Sequence, residues 1–324
     1  MHVFGLLHLA ECEKTAVNVS TNGFDDQVSV YLNNARTLSN SLDLVGFPFT
    51  LLTNSGVFLR DLASKGTGLS LDIIDIPFST EVPTGTHFYS AHFKLDAYRY
   101  LASLNEGYCA LCDLDMVCFN EPSSSMQNLI KNMIPMCYDI SDQVIPSYGI
   151  ETVVRDLSMI AKIDSEGRWS GGEFISGPPQ FFAELVDEIE TLYDNYIRNI
   201  SSVHHVGDEA YTSAALEKLR MKGRYIADAG TIGIVGRYWS AITLHHQKPF
   251  SYYNRLFLLH LPADKRFLSK LSNQDIKSLS DIRDGYKKYH RSIARSARKA
   301  ALFIRSLLKK SVLWCLLGSF PTTW

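Results

Sequence analysis

Apolar positions along the chain fall into two spacings. Short apolar runs of strand length occupy Val3 to Leu9, Phe47 to Thr53, Leu71 to Pro77, Tyr108 to Cys112 and Leu256 to His260, and turn residues bound most of them. Between them the spacing changes to that of a helix. From Val28 to Leu42, residues Val28, Tyr31, Leu32, Ala35, Leu38 and Leu42 share one face. From Phe181 to Ile197, Phe182, Leu185, Ile189 and Leu192 do the same. Further helices are expected over Val57 to Ser64, Ser90 to Leu104, Pro122 to Lys131 and Gly207 to Leu219, with weak helical character from Ile145 to Gly167. Further strands are expected over Asn132 to Asp139, Tyr225 to Ala229 and Ile232 to Val235. Alternating strands and helices predict an α/β fold, a Rossmann-like, mostly parallel sheet with flanking helices.

The centre of the pattern is Gly107 to Phe119. An apolar run ends in Asp113-Leu114-Asp115, and a second, Met116 to Phe119, follows. Side chains alternate along a strand, so an extended segment sends both aspartates to one face. Two like charges side by side raise the cost of ionising both. A divalent cation removes that conflict, and carboxylate oxygens suit magnesium, manganese or calcium. Ligands of open α/β sheets bind beyond the carboxyl ends of the strands, where this pair falls.

Charge adds a second signal. No acidic residue follows Asp284, whereas Lys287, Lys288, Arg291, Arg295, Arg298, Lys299, Arg305, Lys309 and Lys310 do. The tail therefore carries +9. The 23 basic and 34 acidic residues before it leave −11, which points the tail alone at an anionic surface. The cysteines read as small buried apolar residues, and Cys109-x-x-Cys112 lacks the second pair of a zinc site. A reducing, cytoplasmic location is expected. The N-terminus has no basic n-region, and no run approaches the ~20 apolar residues of a membrane span.

In order along residues 3–268, a series of motifs resembles the GT-A fold glycosyltransferases, particularly family 8, the glycogenin and bacterial lipopolysaccharide galactosyltransferase-like group. Phe93-Lys94-Leu95-Asp96-Ala97 resembles that group's helix before the metal strand, and Asp113-Leu114-Asp115 its metal site. Ser170-Gly171-Gly172-Glu173-Phe174-Ile175 resembles its donor-sugar segment. Gly207-Asp208-Glu209 resembles its D-Q-D segment, without the second aspartate, and Leu258-Leu259-His260 followed by Lys265 its terminal histidine and phosphate lysine.

The resemblance implies a Mn2+- or Mg2+-dependent hexosyltransferase using a nucleotide sugar, UDP-galactose or UDP-glucose ahead of others, with retention. Asp113, Asp115 and His260 are the implied metal ligands, with Asp113 also facing the ribose. Lys94 and Lys265 are candidates for the diphosphate. Gly171 and Gly172 would allow close approach of the sugar, Glu173 or Asp208 would bond its hydroxyls, and Asp208 or Glu209 would lie under the anomeric carbon. His245-His246 is a competing histidine site. A nucleotidyltransferase is the alternative enzyme, but the basic Gly-rich loop it needs after its first strand is missing from Leu7 to Glu11. A degenerate sugar-nucleotide-binding protein is the non-enzymatic alternative. Gly171-Gly172-Glu173-Phe174 also resembles part of a diguanylate cyclase signature but lacks one of its acidic residues.

The domains expected are a catalytic domain over 1–270 and a helical membrane-association segment over 271–324. Wound as a helix, Tyr289 to Lys310 puts Ile293, Ala297, Ala300, Ala301, Ile304, Leu307 and Leu308 on one face and its basic residues opposite. That pattern describes a helix lying in an anionic membrane surface. It implies a peripheral protein on the inner face of a bacterial cell membrane, with a lipid-linked or oligosaccharide acceptor. No nucleic-acid partner is expected, since the acidic body would repel it.

Overall fold

The computed structural model of the chain describes residues 1–9, 23–64 and 71–293. The first half contains β1 (His2–Leu7), α1 (Phe24–Asp43), β2 (Phe49–Thr53), α2 (Gly56–Ser64), β3 (Asp72–Asp75), α3 (Lys94–Ala102), β4 (Cys109–Cys112), β5 (Met116–Cys118), α4 (Ser124–Lys131) and β6 (Met136–Asp139). After these come α5 (Ser141–Tyr148), α6 (Ile150–Ala161), β7 (Ser170–Gly177), α7 (Pro179–Arg198), α8 (Asp208–Met221), β8 (Ala227–Asp228), β9 (Val235–Arg237), α9 (Phe250–Tyr253), β10 (Leu258–His260) and α10 (Lys265–Leu271). A further helix, α11, covers 279–293 of the described residues.

The main sheet has seven strands in the order β3-β2-β1-β4-β7-β6-β8. Its first four strands are parallel, and β7 runs antiparallel between β4 and β6. A second sheet, β5-β10-β9, has β10 antiparallel to β5 and parallel to β9. Both faces of β2, β4 and β7 are covered, so every residue in them is buried. This is why β4 reads as a continuous apolar run.

The helices follow their sequence pattern. The predicted face of α1 is buried at Val28, Leu32, Ala35, Leu38 and Leu42, and Asp25 and Asp26 sit in its first turn, where the helix dipole favours acid. The face of α1 also braces α10, through Thr37 Oγ1 donating to the Leu268 carbonyl at 2.8 Å. Pro179 starts α7, and Phe181, Phe182, Leu185, Ile189 and Leu192 face inward against α3 and α8. Tyr89–Phe93 forms a tight 3-10 turn, where the start of the helix expected from Ser90 was placed; it feeds α3 and leaves Lys94 in that helix's first turn. The thiols of Cys109, Cys112, Cys118 and Cys137 are all buried, and burial pushes Cys109 up to about 11.

One element is new and one expectation needs correction. Ser170–Gly177 is a central strand, in which a side chain at Gly171, Gly172 or Gly177 would collide with Glu173, Asp208 or Phe181. The boundary expected at residue 270 does not fall there. Ile282 and Tyr286 of α11 are fully buried in the same core, the Tyr286 hydroxyl donates to Asp264 Oδ2 at 2.6 Å, and Arg283 donates to Asn120 Oδ1 at 2.7 Å. The amphipathic pattern beyond residue 293 lies outside the described residues. Among the described residues no helix is long and apolar enough to cross a membrane.

Candidate active site

Asp113 and Asp115 do not lie on one strand, as strand alternation predicted. The strand stops at Cys112, and Asp113-Leu114-Asp115 is a tight turn closed by Met116 N–H donating to the Asp113 carbonyl at 3.3 Å. The turn hands the chain from the main sheet to the second sheet. It brings the carboxylates together by reversing the backbone, a different route to the same juxtaposition.

Strand register supplies the other groups. In the second sheet His260 pairs with Met116 on one side and Arg237 on the other. Leu261 N–H donates to the Asp115 carbonyl at 2.9 Å, and this locks His260 above the turn. In the main sheet Cys112 pairs with Phe174, and Asp113 N–H donates to the Glu173 carbonyl at 3.0 Å. Residues nearly 150 positions apart therefore meet across two short ladders.

Asp113, Asp115 and His260 each offer one ligand atom, and these atoms lie within 4.8 Å of one another. His260 Nε2 is 3.2 Å from Asp115 and 3.9 Å from Asp113. Its Nδ1 lies 3.2 Å from Glu173 Oε1, which orients the ring. Two carboxylate oxygens and an imidazole nitrogen form a donor set that fits Mn2+ or Mg2+. Burial alone would lower the His260 imidazole, but Asp115 and Glu173 override it and hold it at about 9. Lys265 Nζ also bonds Asp115, as does His260.

A second cation stands beside this group. Lys94 Nζ is 2.7 Å from Asp113 Oδ1 and 2.8 Å from Asp208 Oδ2, and it donates to the Gly172 carbonyl at 2.8 Å. Burial would depress this ammonium, but the two carboxylates hold it well above its ordinary value. Asp208 is pushed up, chiefly by burial and against Lys94.

Glu173 does not line the cleft as the sequence reading had it. It is wholly buried, and Arg237 grips it with Nε and Nη2 at 2.7 and 2.5 Å. Arg237 Nη2 also lies 2.5 Å from Glu209 Oε1. Glu209 in addition accepts from Trp169 Nε1 at 2.9 Å and from Gly172 N–H at 3.3 Å. Burial would raise this carboxyl, but Arg237 and its other partners hold it at about 2. Nothing in the sequence reading pointed to Arg237. The available signal was an apolar run, Ile234-Val235-Gly236, ending in a charged residue, the same form that singled out His260.

The glycines have a different duty from the one expected. A side chain at Gly172 would collide with the Asp208 carboxylate, and one at Gly171 with the Glu173 carboxylate. They admit the protein's own acids against β7. Gly172 faces the cleft, but Gly171 does not.

The cleft above these groups has a volume of about 800 Å3. Lys94, Asp113, Asp115, Asp208, Glu209, His260 and Lys265 all line it, together with Arg237. His8, Tyr31, Tyr148, His204, His205, Trp239 and His245 extend its walls. His245, the competing histidine, is in the cleft but not in the Asp113–Asp115–His260 group.

No family model matches the chain, and no curated protein matches it in sequence. Among solved structures, the chain is similar to a galactosyltransferase, LgtC, in complex with donor and acceptor sugar analogues, with a TM-score of 0.48 and 11% identity over 86% of this chain and 98% of that one. A bifunctional glycosyltransferase, WbbM, has a TM-score of 0.44 and 11% identity over 80% of this chain and 45% of that one. Mouse xyloside xylosyltransferase 1 has a TM-score of 0.44 and 10% identity over 80% and 96%. At these identities and scores the similarity does not by itself assign an activity.

Proposed function

We propose that the protein is a metal-dependent glycosyltransferase that moves a hexose from a nucleotide sugar to a glycan acceptor. The observation that carries this reading is the juxtaposition of three groups in one cleft. These are the Asp113–Asp115–His260 donor set, the buried lysines Lys94 and Lys265, and the acids Asp208 and Glu209. A nucleotide sugar presents a diphosphate, which needs cations, joined to a sugar carbon that becomes positive, which needs anions.

Asp113, Asp115 and His260 would hold a divalent cation, which would supply positive charge where the departing diphosphate gains negative charge. Lys265 and Lys94 then exchange their carboxylate partners in part for diphosphate oxygens. The bond from the anomeric carbon to the phosphate oxygen breaks, one to an acceptor hydroxyl oxygen forms on the same face, and the hydroxyl's proton passes to the departing phosphate oxygen. Glu209 is a poor base, because Arg237, Trp169 and the Gly172 amide already donate to its oxygens. Its fixed negative charge suits a stabiliser of the positive sugar carbon, and this supports retention over inversion. UDP-galactose and UDP-glucose are the favoured donors.

A lipid-linked glycan of bacterial surface polysaccharide is the acceptor we favour, with the protein on the inner face of the cell membrane. The +9 tail supports this, and so does the loop between Trp239 and His245, which exposes Ile242 completely and Leu244 by 83%. The test is hydrolysis of a panel of nucleotide sugars with and without manganese. The expected result is manganese-dependent release of UDP by the wild type and none by Asp115→Ala, whose fold is checked by circular dichroism and whose thermal midpoint falls because the buried Lys265 loses its carboxylate. Full activity of Asp115→Ala with chelator present, or tighter calorimetric binding of GDP than of UDP, would overturn the metal or the donor assignment respectively.

A further inference from the structure

Tyr148, His204, Trp239 and His245 line the cleft, and their rings form an arc that ends on the buried Trp169. Trp239 stacks on His245 at 6.0 Å and 19° between planes. His245 stands edge-on to Tyr148 at 6.4 Å, Tyr148 packs on His204 at 4.7 Å, and His204 on Trp169 at 4.7 Å. Three ring nitrogens in this arc are buried with no hydrogen-bond partner among the described residues: His204 Nε2, Trp239 Nε1 and His245 Nδ1. Native interiors rarely leave such atoms unmatched, and three on one wall of a cleft point to a polar ligand.

His204 is the most tightly oriented of the three. Its side chain is 7% exposed. Its Nδ1 lies 2.7 Å from Asp156 Oδ2, and the same oxygen accepts the His204 backbone N–H at 2.6 Å. Asp156 is wholly buried, and its other oxygen accepts from Arg155. A carboxylate on Nδ1 fixes the ring and its tautomer, and leaves Nε2 as the free hydrogen-bonding atom. No reaction step already assigned uses Asp156 or His204.

We propose that Tyr148, His204, Trp239 and His245 form a subsite for a neutral pyranose unit of the acceptor, with His204 Nε2 meeting one of its hydroxyls. This rests on the glycosyltransferase reading for the word acceptor, but the binding chemistry stands on the arc itself. A pyranose has a C–H face that packs on aromatic rings and a rim of hydroxyls that both donate and accept. Trp239 Nε1 can only donate, while a lone pair on His204 Nε2 can only accept, so a ligand with both functions satisfies both. The arc holds no lysine or arginine. Arg237, which lines the same cleft, is spent on Glu173 and Glu209. An anionic sugar would find no unpaired cation there.

The test is saturation-transfer NMR on the full chain with three probes: methyl β-galactopyranoside, methyl α-glucopyranoside and methyl β-glucuronide. It needs no donor, so it is separate from the hydrolysis assay that tests the enzyme reading. At least one neutral glycoside should bind, and more strongly than the glucuronide. Trp239→Ala and His204→Ala should each weaken that binding by about tenfold, the size expected for losing an aromatic stack or a buried hydrogen bond. Trp239→Phe should retain more than Trp239→Ala, and His204→Gln more than His204→Ala, which separates a contact from a folding defect. Absence of neutral-glycoside binding, equal binding to the variants, or preference for the glucuronide would overturn the proposal. Neutral-glycoside binding lost in the variants, with no nucleotide sugar hydrolysed, would support the subsite while removing the enzyme reading.

Discussion

Arg237 holds two carboxylates on two different elements, Glu173 of β7 and Glu209 of α8. Its replacement by methionine takes the guanidinium from both buried acids, leaving Glu173 only His260 and Glu209 only weaker partners such as Trp169 and the Gly172 amide. The expected cost is about 3–5 kcal/mol at pH 7, the range for breaking a buried ion pair on one side. The pH dependence gives a sharper check. In the wild type Glu209 is depressed to about 2, below its unfolded value, so its contribution is present above about pH 4.5 and is lost only as pH falls toward 2. In Arg237→Met the largest opposing charge is gone and burial outweighs the remaining partners, His260 at Glu173 and His205 and Trp169 at Glu209, so both carboxyls rise and the folded state binds more protons than the unfolded. Stability of the variant should then rise from pH 7 to pH 5, while these two groups leave the wild type flat. Urea denaturation at the two pH values measures it, and parallel curves would show that Arg237 does not hold these acids. Glu209→Gln removes the charge proposed to face the sugar and leaves Asp113, Asp115, His260, Lys94 and Lys265 in place. Its turnover should fall about 100-fold or more with donor KM moving far less, as for an interaction made in the transition state. Steady-state kinetics with the active donor would show this, and an unchanged turnover would reduce Glu209 to a structural acid at a helix start.

β7 ties the two sheets' chemistry together, since its glycines let Glu173 and Asp208 pack flush against its backbone. Gly172→Ala should displace Asp208 from Lys94, with about tenfold or greater loss of turnover from a misplaced group in the site. The same change should lower the thermal midpoint, because the buried Lys94 loses one of its two carboxylates. If activity and midpoint are both kept, the Asp208 carboxylate is not confined by β7. At this scale the sequence was legible wherever a single element carried the signal. The α1 and α7 faces, the β10 end at His260 and the acidic pair at Asp113 and Asp115 were all readable. Glu173 was not, because an acid in a strand buried on both faces is interpretable only when its counter-ion is known. Arg237 lies 64 residues away, and only the second sheet brings it there.

For the whole molecule, the charge asymmetry gives a prediction about place. Residues 279–293 belong to the folded body, since Tyr286 and Tyr289 pack on Phe267 and His290 bonds Tyr238 at 2.6 Å. The proper truncation therefore removes 294–324, with Arg295, Arg298, Lys299, Arg305, Lys309 and Lys310. Each such charge near an anionic leaflet contributes about 1 kcal/mol, falling with salt. Full-length protein should sediment with anionic liposomes at low salt, and the truncated form should stay in the supernatant yet keep donor hydrolysis. Sedimentation of the truncated form, or none of the full-length form, would assign the tail another purpose. The sequence alone determined the α/β class, the site's acidic pair and the terminal histidine, because periodicity and short-range motifs are local properties of the chain. Only the tertiary structure decided that the acidic pair sits in a turn, that Glu173 is a buried support and that Arg237 shares two acids. It also decided that α11 belongs to the core. Each of these depends on which distant strand or helix supplies the neighbour, and burial and charge pairing are properties of neighbours.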